Sequence, residues 1–189
     1  FPSGSLTFGV GETVKTITVD IAGDNVVEPD ETFTVTLSGV TGSQIDVAMA
    51  GGTIVNDDTA LAIAATSANK NEGDAGTTPF TFTVTRTGDL SGIATVDWAV
   101  AGSGGNPASA DDFTGAVFPS GSLSFAAGEV SKTITVNVDG DTAVEPDEGF
   151  TVTLANVSGA SLVAATASGT ITNDDAGDTA LLSIAAAGA

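Results

Sequence analysis

Two short stretches of this chain carry most of its potential for chemistry. "GDNVVEPDETF" (23–33) holds Asp24, Glu28, Asp30 and Glu31, and "GDTAVEPDEGF" (140–150) repeats the arrangement with Asp141, Glu145, Asp147 and Glu148. Crowded carboxylates suit two tasks: holding a hard cation through oxygen, or working as an acid–nucleophile pair on a glycosidic bond. Asp141, Glu145 and Glu148 follow one another at intervals of four and three residues. A loop that folds back can therefore present their oxygens from one side, and Pro146 stiffens it. The 189 residues include 24 acidic and 4 basic side chains, a net charge of −20, with no Cys and no His. That composition removes thiolate and imidazole metal ligands, disulfides and a Ser-His-Asp triad. One Trp and no Tyr leave few aromatic platforms for a sugar substrate, so the glycoside-hydrolase reading is the distant one and the chain is expected not to be an enzyme. The charge repels nucleic acid and anionic membrane surfaces and attracts cations. No apolar run approaches the roughly 20 residues of a membrane span. The chain opens at Phe1 without a signal peptide and reads as an excerpt of something longer.

The elements that must position these acids come as repeats. "FPSGSLTF" (1–8) returns as "FPSGSLSF" (118–125), and "TIVNDD" (53–58) as "TITNDD" (170–175); residues 1–58 and 118–175 agree at 36 of 58 positions without a gap. "TALLSIAA" (179–186) echoes "TALAIAA" (59–65). The expected organisation is the rear of one unit (1–58), a complete unit (59–178) and the first strand of a third (179–189). Residues 1–58 are expected to lack the strands that close a core.

Alternation and turn residues mark seven strands in the complete unit: 60–65, 79–87, 93–100, 122–125, 132–138, 150–156 and 168–173. Ile134, Val136 and Val138 share one face and threonines the other, the pattern of a half-buried antiparallel strand. Trp98 is expected in the core. Seven strands in about 100 residues fit an all-β, immunoglobulin-like antiparallel β-sandwich. If strands run alternately up and down, the first, third and fifth connections and the segment after the last strand share one end. Glu72, Asp74, Asp111, Asp112, Asp139, Asp141, Glu145, Asp147, Glu148, Asp174, Asp175 and Asp178 then gather there, with Lys70 the one basic residue in those loops. Such crowding forces protons onto some carboxylates unless a cation offsets the charge. Calcium, with 6–8 oxygen ligands, suits a crowded cage better than magnesium, which keeps its waters. "NDD" just before the next unit puts acids at the junction between neighbouring repeats.

The segment "GSLSFAAGEVSKTITVNVDGDTAVEPDEGFTVTLANVSGASLVAATASGTITNDD" (121–175) resembles the Calx-beta motif, with its core of D-x-x-x-E-x-D-E-x-F between two strands. That module is known from sodium–calcium exchangers, from an integrin β subunit and from bacterial surface and secreted repeat proteins. The resemblance implies tandem immunoglobulin-like sandwiches with Ca2+ at one tip. Its ligands would be Glu72, Asp111, Asp112, Asp141, Glu145, Glu148, Asp174 and Asp175, and in the first unit Asp24, Glu28, Glu31, Asp57 and Asp58. Asn173 and Gly140 depart from the fullest acidic pattern, and both remove charge. It further implies an extracellular or cell-surface protein in adhesion or communication, with calcium ions, neighbouring repeats and a protein or surface ligand as partners.

The alternative is a passive spacer stalk whose acids serve solubility. The spacing speaks against an EF-hand, because "DGDTAVEPDEGF" lacks the glycine at its sixth position and expected strands flank it. "GSGGNPASADD" (102–112) reads as a flexible loop, and "NVS" (156–158) fits a glycosylation acceptor that the other unit lacks.

Overall fold

Threonine–valine alternation builds this molecule, and the strands follow it. The computed structural model describes residues 1–176; Asp178 and the strand expected at 179–189 lie outside them. The elements are β1 (Glu31–Thr36), β2 (Met49–Ile54), β3 (Thr59–Ser67), β4 (Asn69–Asn71), β5 (Gly76–Gly88), β6 (Ala94–Ser103), β7 (Ser120–Phe125), β8 (Ser131–Gly140), β9 (Glu148–Ser158), β10 (Ser161–Ala164) and β11 (Thr166–Thr172). All seven expected strands of the complete repeat are present, as β3, β5, β6, β7, β8, β9 and β11.

Two sheets form the sandwich, ordered β10-β3-β5-β8 and β4-β11-β9-β6-β7. At Ala68 the chain leaves the first sheet, where β3 runs antiparallel to β5, and joins the second, where β4 runs parallel to β11. Phe80, Phe82 and Val84 of β5 and Ile134, Val136 and Val138 of β8 face Val96, Val100, Phe150, Val152 and Leu154 across the core. Phe150 is its centre: Phe80, Phe82 and Phe113 each meet it edge-on, with centroids 5.7, 5.8 and 5.5 Å away. Each such pair adds about 0.5–1.5 kcal/mol beyond area burial. Trp98 is half-buried against the core, its indole lying over Gly121.

In the first repeat β1 pairs with β2 as β9 pairs with β11; Phe33 opposes Gly52 and Phe150 opposes Gly169. No residue of 1–58 is buried. Residues 5–8 and 15–21, whose counterparts form β7 and β8, are not strands, because residues 1–58 contain no copy of β5 or β6 for them to pair with. In the 102–112 run, Gly102 and Ser103 end β6 and the loop beyond them is tied to β9. Gly149 donates to the Asn106 carbonyl and Ala108 to the Gly149 carbonyl, both at 2.9 Å.

Candidate metal centre

Four separate segments deliver acids to one end of the sandwich. Glu72 follows β4, in a turn held by Asp174: the Gly73 N–H donates to Asp174 Oδ1 at 3.1 Å and Asn71 Nδ2 to Asp174 Oδ2 at 3.2 Å. Asp112 lies in the loop between β6 and β7 and is placed by its neighbour. Phe113 is fully buried against Phe150 and bridges to Val138, while the Asp139 N–H donates to the Asp112 carbonyl at 2.9 Å. Asp141 and Glu145 come from the segment between β8 and β9, which turns where the Ala143 N–H donates to Asp141 Oδ1 at 2.6 Å, and Glu148 opens β9. Asp174 and Asp175 follow β11.

Asp112, Glu145 and Glu148 each offer an oxygen within 4.8 Å of the other two. Glu72 is 5 % exposed. Burial first, then Asp141, Glu145, Asp175 and Asp112, push its carboxyl up to about 7. Glu148 is likewise pushed to about 7, by burial first and then by a hydrogen bond with Asp112 and the charges of Asp112, Glu145 and Glu72. Glu145 and Asp175 are raised by burial and by neighbouring acids. Among the described residues, Asp175 Oδ2 is buried without a hydrogen-bond partner. No cation answers this charge among the described residues. The two ion pairs there, Lys15–Glu12 and Lys132–Glu129, lie elsewhere, and Lys70 donates to the Pro79 carbonyl over the Phe80 ring.

Of the residues the sequence singled out, Glu72, Asp112, Asp141, Glu145, Glu148 and Asp175 therefore act on one another. Asp111 is exposed beside them, its N–H turned to Ser109 Oγ at 3.1 Å. Asp174 is spent on the Glu72 turn. Asp139 accepts from Thr114 Oγ1 at 2.7 Å and Asp147 from the Asn173 N–H at 3.2 Å. In the first repeat the carboxyl of Asp58 is raised, first by partial desolvation and then by the charges of Asp57 and Asp24. Glu28 and Glu31 flank the same groove as these three, yet among the described residues no second group of three acids converges. The physical reason is that residues 1–58 hold no copies of Glu72 or Asp112.

The two departures in the acidic pattern have structural causes. A Cβ at Gly140 would collide with the Gly73 carbonyl oxygen, whereas at its counterpart Gly23 it would meet nothing within 4 Å. Asn173 is a hydrogen-bonding hub rather than a lost ligand. Phe113, which sequence reasoning passed over, had one signal: an aromatic directly after paired acids in a polar loop. Asn156, in the possible glycosylation acceptor, donates its amide to Asp97 Oδ2 at 3.0 Å.

A family model described as the Calx-beta domain matches residues 2–63 and 55–176. The chain is 32 % identical over 157 residues to the adhesion G-protein coupled receptor V1 of Danio rerio, covering 82 % of this chain and 2 % of that protein. Among solved structures it is similar to an apo-form Calx CBD1 domain, with a TM-score of 0.50 and 27 % identity over 62 % of this chain and 98 % of that one. It is also similar to the calcium binding domain CBD12 of CALX1.1, with a TM-score of 0.50 and 28 % identity over 61 % of this chain and 46 % of that one.

Proposed function

The chain belongs to the Calx-beta domain family, and from that premise we propose that the acidic tip of its complete repeat is a calcium site in a surface or secreted array. The observation that carries this reading is the approach of Asp112, Glu145 and Glu148 oxygens to within 4.8 Å of one another. Oxygens on opposite sides of a calcium ion are about 5 Å apart, so the donor set fits in size as well as chemistry. Asp175 Oδ2, without a partner among the described residues, and the buried Glu72 support the same reading. Asp112, Glu145 and Glu148 would hold the ion, with Glu72, Asp141 and Asp175 completing the cage. Bound calcium supplies positive charge where the fold concentrates negative charge. This chain's own part is to orient the oxygens, through Phe113, Asp174 and Asn173, and to keep Glu72 from bulk water.

In the first repeat Asp24, Asp57 and Asp58 take part once their missing partners are supplied. We assign the repeat boundaries as 1–58, 59–178 and 179–189. A relative named as an adhesion receptor supports placement at a cell surface, in adhesion, communication or spacing. The chain spans about 2 % of that relative's length, so its own ligand is a matter for the whole protein.

Thermal unfolding in millimolar calcium against chelator tests the reading. A cation at a hundred times its Kd adds about 2.7 kcal/mol. The parent gains stability on this scale, and Asp141→Asn/Glu145→Gln loses most of the gain. A double variant that responds to calcium as the parent does would overturn the site.

A further inference from the structure

Asparagine heads each acidic run that follows the last strand of a repeat, and its amide has an acceptor and two donor protons. Asn173 donates its N–H to Asp147 Oδ1 at 3.2 Å, accepts the Glu145 N–H on Oδ1 at 3.0 Å, and donates Nδ2 to the Asp175 carbonyl at 3.0 Å. Asn56 repeats the clip with Asp30 Oδ1 at 2.9 Å, the Glu28 N–H at 2.9 Å and the Asp58 carbonyl at 3.1 Å. The copy at Asn56 forms without counterparts of Glu72 or Asp112, so the clip does not depend on a complete tip.

The Asp58 carbonyl has a second donor, and it belongs to the next repeat. The Asp89 N–H, just beyond β5, donates to it at 2.8 Å, and Thr59 Oγ1 returns a hydrogen bond to the Asp89 carbonyl at 2.5 Å. Gly88 makes this approach possible. It sits at a φ of +87°, a Cβ there would collide with the Asp58 carbonyl oxygen, and Val27 lies on the same spot. Arg86, 2 % exposed, holds the turn from behind through the carbonyls of Ala126, Asp89 and Gly92.

We propose that Asn56 is the positioning residue of the joint between successive repeats, its amide aiming the Asp58 carbonyl at the Asp89 N–H. One side chain then sets both the shape of one repeat's acidic loop and the seat of the next repeat on it. The inference goes beyond the calcium reading and holds with no cation present. It also accounts for asparagine at these positions, since aspartate could accept from Glu28 but could not donate to the Asp58 carbonyl.

Amide hydrogen exchange by NMR on the 189-residue chain in chelator tests it. Asn56→Asp should speed exchange at Asp89 about tenfold, the equivalent of one hydrogen bond, while Glu28 stays protected. Asn56→Ala should release both amides. Gly88→Val, which breaks the approach itself, should release Asp89 as well. Phe82 and Val136 report the core and should not move, because Asn56 touches neither. Parent-level protection at Asp89 in Asn56→Asp would overturn the proposal, as would loss of protection throughout the core. Because calcium is absent, neither result bears on whether the tip binds it.

Discussion

Glu72→Gln should make the protein more stable without calcium and less responsive to it. Glu72 is 5 % exposed, and its burial first, then the like charges around it, hold its carboxyl at about 7 against an ordinary 4.5. One pKa unit corresponds to about 1.36 kcal/mol, so keeping this group ionised costs the fold about 3 kcal/mol. The sign follows from proton counting. Between pH 4.5 and 7 the folded state retains a proton that the unfolded chain has released, so stability falls as pH rises through that window. Glutamine carries no charge at any pH. The variant should match the parent near pH 4.5 and exceed it by about 3 kcal/mol at pH 8 in calcium-free buffer, or about 6–12 °C in Tm for a chain of this size. Glu148 titrates in the same window and counts Glu72 among its causes, so the variant's pH dependence flattens without vanishing. Added calcium should reverse the order, because the parent gains a charged ligand that the variant lacks. Calorimetric unfolding across pH 4.5–8, with and without calcium, reads all of this. A variant no more stable than the parent at pH 8, with an unchanged pH slope, would refute the burial of Glu72 among acids.

Two further substitutions probe how the tip is built. Gly140→Asp, which adds the acid that the fullest family pattern would have, should cost about 1–3 kcal/mol as overpacking does, because its Cβ meets the Gly73 carbonyl; Gly23→Asp should be tolerated. Chemical denaturation of the two variants makes the comparison. Phe113→Ala should cost about 3–5 kcal/mol and weaken calcium binding as well, since the loop that carries Asp112 loses its anchor; denaturation paired with a calcium titration separates the two effects.

Much of this architecture is written in residue types. Ile134, Val136 and Val138 announce a half-buried strand, and strand parity alone gathers Glu72, Asp112, Asp141, Glu145, Glu148 and Asp175 at one end although they lie up to 103 positions apart. β4 and β10 are not legible in the sequence because strands of three and four residues are too short to show a period, and both owe their existence to parallel neighbours distant in sequence. The uses of Asp139, Asp147 and Asp174 were equally hidden: a carboxylate that accepts a hydrogen bond from the fold looks, in sequence, like one that waits for a cation. Asn173 and Gly140 read as charge removed. Only the register of β5 against β8 reveals the Gly73 carbonyl above Gly140, and only the folded loop shows what the asparagine amide ties together.

The most direct test is to locate the ion itself. Crystals of the chain grown with calcium should show an anomalous peak about 2.3–2.6 Å from oxygens of Asp112, Glu145 and Glu148, with Glu72 turned toward it. A fully occupied lattice in which those carboxylates face only water, with no peak among them, would contradict the account.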